Sequence, residues 1–324
     1  MRSSRLGSLG NVSRLTLGGG GIGQGWGETS REEAGATLRM AADRGITLLD
    51  TAPLYLNCEA IVGETFAGRL PEGIKVTSKC GLGTCAPAEV LPRLKTSLED
   101  SLKAMRLEHI DLYFLHSYIA ADDFVFAHGH EQRDGFSTQW SLYTDHVVPA
   151  FERLKGDGYI GAWGITGIGV PKDILAAFAR TPKPHVVQAI TNLMDSPGAL
   201  RRYSDAPRPR EIIRNANAQG VGVMGIRAVQ AGALTAAMDR SVTPTHPDGR
   251  DYARAAPFRA LCRTWGEDPA RIAHRYALSI AGVDTLVLGV KNRAELQDAL
   301  VAEAAGSLEP AQIAAIDSLG LREP

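Results

Sequence analysis

REEAGATLRMAADRGITLLD, residues 31–50, carries one helix and one strand in a single run of chain. Ser30 stands ahead of it with Glu33 three residues on, the capping-box pairing that opens a helix, and Ala34, Leu38, Ala41 and Ala42 recur at the spacing of one apolar face. That spacing predicts a helix over 31–43. Residues 47–50 follow as a short apolar strand that ends on an acid. A helix feeding a strand is one step of a β/α repeat, and the same alternation extends in both directions.

Strand-like runs fall at 14–17, 47–50, 74–78, 110–115, 160–166, 185–189, 221–226 and 285–288. Helical patterns follow them near 31–43, 59–67, 87–106, 145–156, 172–180, 210–219, 268–280 and 292–305, and 308–319 reads as one more helix at the end. Parallel strands joined by right-handed crossovers close naturally at eight units, whereas doubly wound sheets usually stop at six or seven. The expectation is therefore an α/β fold, a (β/α)8 TIM barrel spanning 1–324 as one domain, since no linker or shift of composition divides the chain. Two stretches break the alternation, 117–143 after the fourth strand and 241–265 before the last helix–strand unit. The first would hang over the mouth of a barrel; the second reads as partly helical. Gly18, Gly20 and Gly23 imitate a dinucleotide-binding G-x-G-x-x-G, but the helix signal waits until Ser30, so they are expected to form a loose loop.

With 44% hydrophobic and 22% charged residues, the 324-residue chain can bury a large core. A formal net charge of -1 gives no general attraction to nucleic acid or to an anionic membrane. The N-terminal MRSSRLGSLGNVSRL lacks the apolar run of a signal peptide, and no later segment is long enough to span a bilayer, so a cytoplasmic protein is expected. Cys58, Cys80, Cys85 and Cys262 are too few for a disulfide scaffold and read as reduced thiols. His128 and His130 have the spacing of a metal pair, but they sit in a polar insertion with no matching acids, and no metal is expected. Oligomeric state is left open, homo-oligomers included.

The chemistry gathers at strand ends. Asp50 closes the second strand, Tyr55 follows it, Lys79 ends the third and His116 ends the fourth, so one face of a barrel would bring together a carboxylate, a phenol, an amine and an imidazole. A phenol is a weak acid near neutral pH, but an ammonium beside it favours the phenolate, and a carboxylate keeps that ammonium charged. An imidazole can then orient a carbonyl. These are the parts of a proton relay for an oxidoreductase acting on a small carbonyl or alcohol.

DTAPLY at 50–55, KVTSKCGLG at 75–83 and IDLYFLH at 110–116 resemble, in the same order, the characteristic motifs of the aldo-keto reductases. The likeness runs from RLTLGGGGIGQGWG at 14–27 to VDTLVLGVKNRAEL at 283–296. It implies Tyr55 as general acid or base, Asp50 and Lys79 as its tuners, and His116 as the group that orients the carbonyl. It also implies that Gln188 contacts the nicotinamide carboxamide and that Gly289, Lys291 and Asn292 lie beside the adenosine phosphate. Where the family usually has Ser-Asn after the fifth strand this chain has Thr166 and Gly167, and Ile226-Arg227-Ala228 replaces Ser-Pro-Leu, which offers Arg227 to the diphosphate or to an anionic substrate. Glu295 would repel a 2′-phosphate or bind a ribose hydroxyl, against the pull of Lys291; the balance leans to NADP, with NAD as the alternative. LNCEA follows Tyr55 in place of the commoner glycine-containing form. GAWGITG, 161–167, is similar to sugar and pyridoxal dehydrogenases of the family and hints at oxidation as the natural direction. Two other classes compete with an oxidoreductase: a cofactor-binding regulatory subunit with little turnover, and a metal-dependent barrel hydrolase.

Overall fold

The computed structural model describes residues 1–322. Eight parallel strands close a barrel: β1 Leu15–Gly18, β2 Leu48–Asp50, β3 Lys75–Cys80, β4 Ile110–Leu115, β5 Ile160–Gly167, β6 Val186–Ile190, β7 Gly222–Ile226 and β8 Thr285–Leu288. Each strand pairs with the next in sequence, and β8 returns to β1 through Leu286–Leu15 and Leu288–Leu17. A helix follows every strand on the outside: α1 Arg31–Asp43, α2 Cys58–Thr65, α3 Val90–Met105, α4 Val148–Gly156, α5 Pro171–Phe178, α6 Pro209–Ala218, α7 Pro269–Ser279 and α8 Arg293–Ala305. The expected (β/α)8 barrel is the observed fold, and the expected and observed strand bounds differ by no more than two residues at either end.

Two-residue alternation sets what faces where. Leu48, Leu112, Phe114, Ala162, Val186 and Met224 point inward and form the barrel's own core, while Leu49, Tyr113, Ile165 and Val187 turn out to meet the helices. Burying each large side chain of the inner set contributes roughly 1.5–3 kcal/mol. Continuing the same inward phase past this apolar layer brings Asp50 on β2, Lys79 on β3 and Gln188 on β6 to the interior at the C-terminal rim, where the buried pairing is polar.

The opposite end is closed by a hairpin that strand patterning did not foresee, Ser3–Arg5 antiparallel to Asn11–Ser13. Leu6 between them is fully buried, and a Cβ on Gly7 would come within 2.5 Å of the His185 carbonyl at the foot of β6, so the hairpin lies against the barrel floor. Strands of three residues are too short for periodicity to mark.

Both insertions carry structure. In the first, Tyr118–Ala120 pairs with Ser137–Gln139 over a cluster of Tyr118, Phe124, Phe126 and Phe136. Hydrogen bonds from Gly83 N to Ser117 Oγ, 2.8 Å, and from Thr138 Oγ1 to Gly83 O, 2.8 Å, tie it to the loop after β3. It is a fixed wall beside His116. The second contains the helices Pro247–Arg254 and Ala256–Trp265, as its pattern suggested; Pro310–Asp317 is the terminal helix.

Two local expectations need correction. Ser30 caps α1 by accepting from Glu33 N at 3.1 Å, but the reciprocal half of the capping box is absent because the Glu33 carboxylate is drawn to Arg293 on α8 at 2.8 Å. Nor do the early glycines form a loose loop. Gly19–Ile22 is a buried helical turn in which a Cβ on Gly20 would strike the Trp26 ring at 1.8 Å and one on Gly23 would strike the Tyr55 carbonyl at 1.9 Å. Glycine is needed there for close approach rather than for mobility.

Candidate active site

Lys79 organises the site. Its ammonium, fully buried, donates to both oxygens of Asp50 at 2.9 Å and to the Thr51 carbonyl at 2.8 Å. The same nitrogen lies 4.5 Å from the centroid of the Tyr55 ring. Tyr55 meets His116 edge-on, ring centroids 5.9 Å apart at 87°, and has Trp26 on another side at 6.1 Å. Asp50 also accepts from Thr77 Oγ1 at 2.8 Å and from Gln188 Nε2 at 2.6 Å, so its charge is fully spoken for. The four groups expected from strand ends thus lie together at the C-terminal rim of the barrel. Thr77 was not singled out from sequence; its signal is the inward phase it shares with Lys79.

Electrostatics divides the labour. Burial alone would lower the Lys79 ammonium, but Asp50 and Tyr55 outweigh it and hold the pKa above its ordinary value. Burial pushes the Tyr55 phenol up, Lys79 works against that, and the net direction is upward. Lys79 lowers the phenol's pKa as expected, but burial exceeds the ammonium's effect, so the hydroxyl keeps its proton at neutral pH. His116 is pushed down to about 3, by burial first and by the Lys79 charge second. A neutral imidazole can orient a carbonyl but holds no spare proton to give at neutral pH.

The residues expected around a dinucleotide are less free. Thr166 is buried at the end of β5, with Oγ1 3.4 Å from the Ser117 carbonyl. Arg227 is locked at a left-handed φ of 59°, donating to Asp248 at 2.7 Å and to Gln230 at 3.0 Å, above a buried net of Asn192, Ser196 and Asp251. Gln230, Ala231 and Gly232 continue with φ of 46°, 49° and 89°. The loop after the seventh strand is where barrels hold phosphates, but here the amides of Gln230, Gly232, Ala233 and Leu234 already donate to carbonyls of the segment itself.

At the other end, Lys291 Nζ is clamped at 2.6 Å by both Asp239 and Glu295. Burial would lower this ammonium, yet its bonds to Asp239 and Glu295 hold it above its ordinary value. Three amides that open α8 are also occupied: Lys291 N by Glu295, Arg293 N by Glu33 and Glu295 N by the Asn292 side chain. Gly289 sits in open space beside them. Gln24, Gly27, Glu28, Thr29 and Ser30 line an open cleft of about 590 Å³, in which Gly27 faces the Lys291 stem. Two carboxylates about one ammonium leave this end of the cleft with net negative charge. Asp239 was invisible to sequence reasoning because its loop has no periodicity to place it.

The aldo/keto reductase family model matches residues 14–320. The chain belongs to the aldo/keto reductase family. This aldo/keto reductase is 24% identical over 320 residues to L-galactose dehydrogenase of Arabidopsis thaliana, covering 93% of this chain and 89% of that one. Its fold matches the holo form of an aldo-keto reductase from Bacillus halodurans with a TM-score of 0.71 at 22% identity, over 98% and 96% of the two chains. It also matches a glycerol dehydrogenase from Gluconobacter oxydans with a TM-score of 0.70 at 23% identity, over 98% and 94%. Membership makes the chain an oxidoreductase of a family that reduces carbonyls with nicotinamide cofactors. No helix among the described residues is long and apolar enough to cross a membrane.

The aldo/keto reductase should also be acid-sensitive in a defined window. His274, buried on α7 with Nδ1 unpartnered, is pushed down to about 4 by burial, and His116 to about 3. Their folded pKa values lie below the unfolded value of 6.5, so the unfolded chain binds more protons below that pH. Stability from both residues is complete above pH 6.5 and is lost as pH falls toward 4. Calorimetry should give a flat melting temperature above pH 7 and a decline from 6.5 downward, shallower in His274→Gln; a melting temperature unchanged at pH 5 would contradict it.

Proposed function

We propose that the chain acts as one barrel unit that interconverts a small carbonyl compound, an aldehyde, ketone or aldose, and its alcohol, with Tyr55 moving the proton and NAD(P)(H) as cofactor. The observation that carries this is the Lys79 ammonium set between Asp50, at 2.9 Å, and the face of the Tyr55 ring, at 4.5 Å, with a neutral His116 across the ring. Bound in this barrel, the nicotinamide supplies or accepts the hydride at the substrate carbon.

The chain's own residues do the rest. Tyr55 donates a proton to the carbonyl oxygen in reduction and takes it back in oxidation. Lys79 stabilises the phenolate that is left, and Asp50, held by Thr77 and Gln188, keeps Lys79 in place. His116 donates an N–H that aims the oxygen at Tyr55. Gln188 and Thr166 would hold the nicotinamide end, the 227–232 segment the diphosphate, and Gly289, Lys291, Asn292 and Glu295 the adenosine.

On cofactor choice, the lean toward NADP shifts once Asp239 is in view. With Asp239 and Glu295 both on Lys291, a ribose hydroxyl meets an acceptor and a 2′-phosphate meets net negative charge. NAD is the proposed preference. Asp239→Asn with Glu295→Gln should raise kcat/KM for the phosphorylated cofactor by about 10-fold or more, a shift of about 1.4 kcal/mol; an unchanged NAD-to-NADP ratio would contradict the clamp.

On substrate, Trp26, Leu54 and Leu56 are 46%, 73% and 65% exposed around Tyr55, half of the six large hydrophobics exposed among the described residues. Such a rim favours carbonyls on an apolar body over bare polyols. The names of L-galactose dehydrogenase and glycerol dehydrogenase support sugars and polyols as the second reading. A nicotinamide-absorbance screen with aromatic and alkyl aldehydes, ketones, aldoses and their alcohols, using both cofactors in both directions, tests the proposal. Turnover of at least one carbonyl is expected, and cofactor binding with no turnover on any would overturn it.

A further inference from the structure

The alternation that turns Asp50 and Lys79 into the barrel turns their neighbours, Thr51 and Ser78, outward into the layer beneath the helices. That layer is otherwise built from residues such as Leu49, Ile61, Val62, Val76 and Met105. In it lies one acid, Glu59, the second residue of α2 and only 5% exposed. Its Oε1 accepts from Ser78 Oγ at 2.6 Å and lies 3.4 Å from Thr51 Oγ1, and Ser78 Oγ stands 3.0 Å from Ser101 Oγ on α3. Thr51 bridges onward, its hydroxyl donating to the Thr77 carbonyl at 2.6 Å and its own carbonyl accepting from Lys79 Nζ at 2.8 Å.

An acid in an apolar layer costs more to bury than a leucine would, so packing alone does not account for it. Two of its neighbours, Ser78 and Thr51, stand next to Lys79 and Asp50 in the chain. Ser78 directly precedes Lys79, and Glu59 follows Tyr55 by four positions along the chain. We infer that Glu59 is a positioning residue, a tether that ties the loop carrying Tyr55 to the strand carrying Lys79 and so keeps the phenol and the ammonium in register. The inference rests on the roles proposed above for Tyr55 and Lys79. No motif spacing announces the tether, because Glu59 meets Ser78 only after α2 docks on β3.

The test compares Glu59→Ala, Glu59→Gln and Ser78→Ala with Tyr55→Phe as reference, on whichever carbonyl the wild-type protein reduces. Glu59→Ala should lose about 10- to 100-fold in kcat, the scale of a small misplacement of reacting groups, with KM and fluorescence-measured NADH affinity within about 2-fold. Glu59→Gln keeps an acceptor for Ser78 and should recover kcat to within about 3-fold of wild type. Its pH profile should match wild type, while in Glu59→Ala the alkaline limb should move up as Lys79 offsets the burial of the phenol less well. Asp50, Cys58, Lys79 and His116 are the other titratable groups facing that phenol and are unchanged in these variants. Wild-type kcat in Glu59→Ala, equal losses in Glu59→Ala and Glu59→Gln, or a loss of cofactor affinity matching the loss of kcat would each overturn the tether. Should Glu59→Ala not fold, Ser78→Ala cuts the same link from the strand side: a fall in kcat at constant KM supports the tether, and wild-type kcat overturns it. Full activity in Tyr55→Phe would instead remove the reading on which the tether rests.

Discussion

Tyr55→Phe is expected to lower carbonyl turnover by about 10³-fold while leaving cofactor binding within about 2-fold of wild type, the scale of losing a positioned general acid. The ring stays, so contacts with Trp26, with His116 and with the Lys79 ammonium survive. Only the hydroxyl is removed. No other group in the mouth replaces it: His116 is neutral and pushed down to about 3, and Cys58 is buried, its thiol pushed well above the usual range by burial and by Glu59. Stability should scarcely change, because Tyr55 is only partly buried. Steady-state kinetics with a fluorescence titration of NADH checks both halves; turnover within about 10-fold of wild type would take Tyr55 out of the reaction.

Lys79→Met should be damaged twice. It removes the cation that opposes burial at Tyr55, so the phenolate loses its stabiliser, and turnover should fall by about 10²-fold or more. It also strands Asp50, 2% exposed, with Thr77 and Gln188 but no counter-charge. Breaking a buried pair by deleting one partner costs about 3–5 kcal/mol. Replacing both partners, as in Asp50→Asn with Lys79→Met, should return part of that stability but none of the activity. Denaturant unfolding of the three variants separates the effects: a single Lys79→Met as stable as wild type would show that the pair is solvated, contrary to the geometry.

What was legible in the sequence was what obeys a period. The strand ends that carry Asp50, Lys79 and His116 could be found because short apolar runs mark the barrel strands, and an inward residue on the last turn of such a run must face the mouth. The helix over Arg31–Asp43 was placed to the residue by Ser30 and the apolar repeat. What escaped was what depends on residues far apart. Glu33 was assigned to its own helix end, but Arg293, 260 residues away, offers a guanidinium and takes the carboxylate. Sequence spacing pairs Lys291 with Glu295 only, because Asp239 lies in a loop whose path no pattern gives. Arg227 was offered to the diphosphate by its place after the seventh strand, whereas its guanidinium is held by Asp248, on a helix of the second insertion.

Phenol, ammonium and carboxylate are proposed to work as one device. The turnover of Tyr55→Phe with Lys79→Met in one chain, set beside the two single variants, measures that directly. If the groups act as a unit, the double variant is about as slow as the slower single one, because the ammonium has nothing left to stabilise once the hydroxyl is gone. Losses that multiply would mean that Tyr55 and Lys79 act independently, and the coupling inferred from their contact would be wrong.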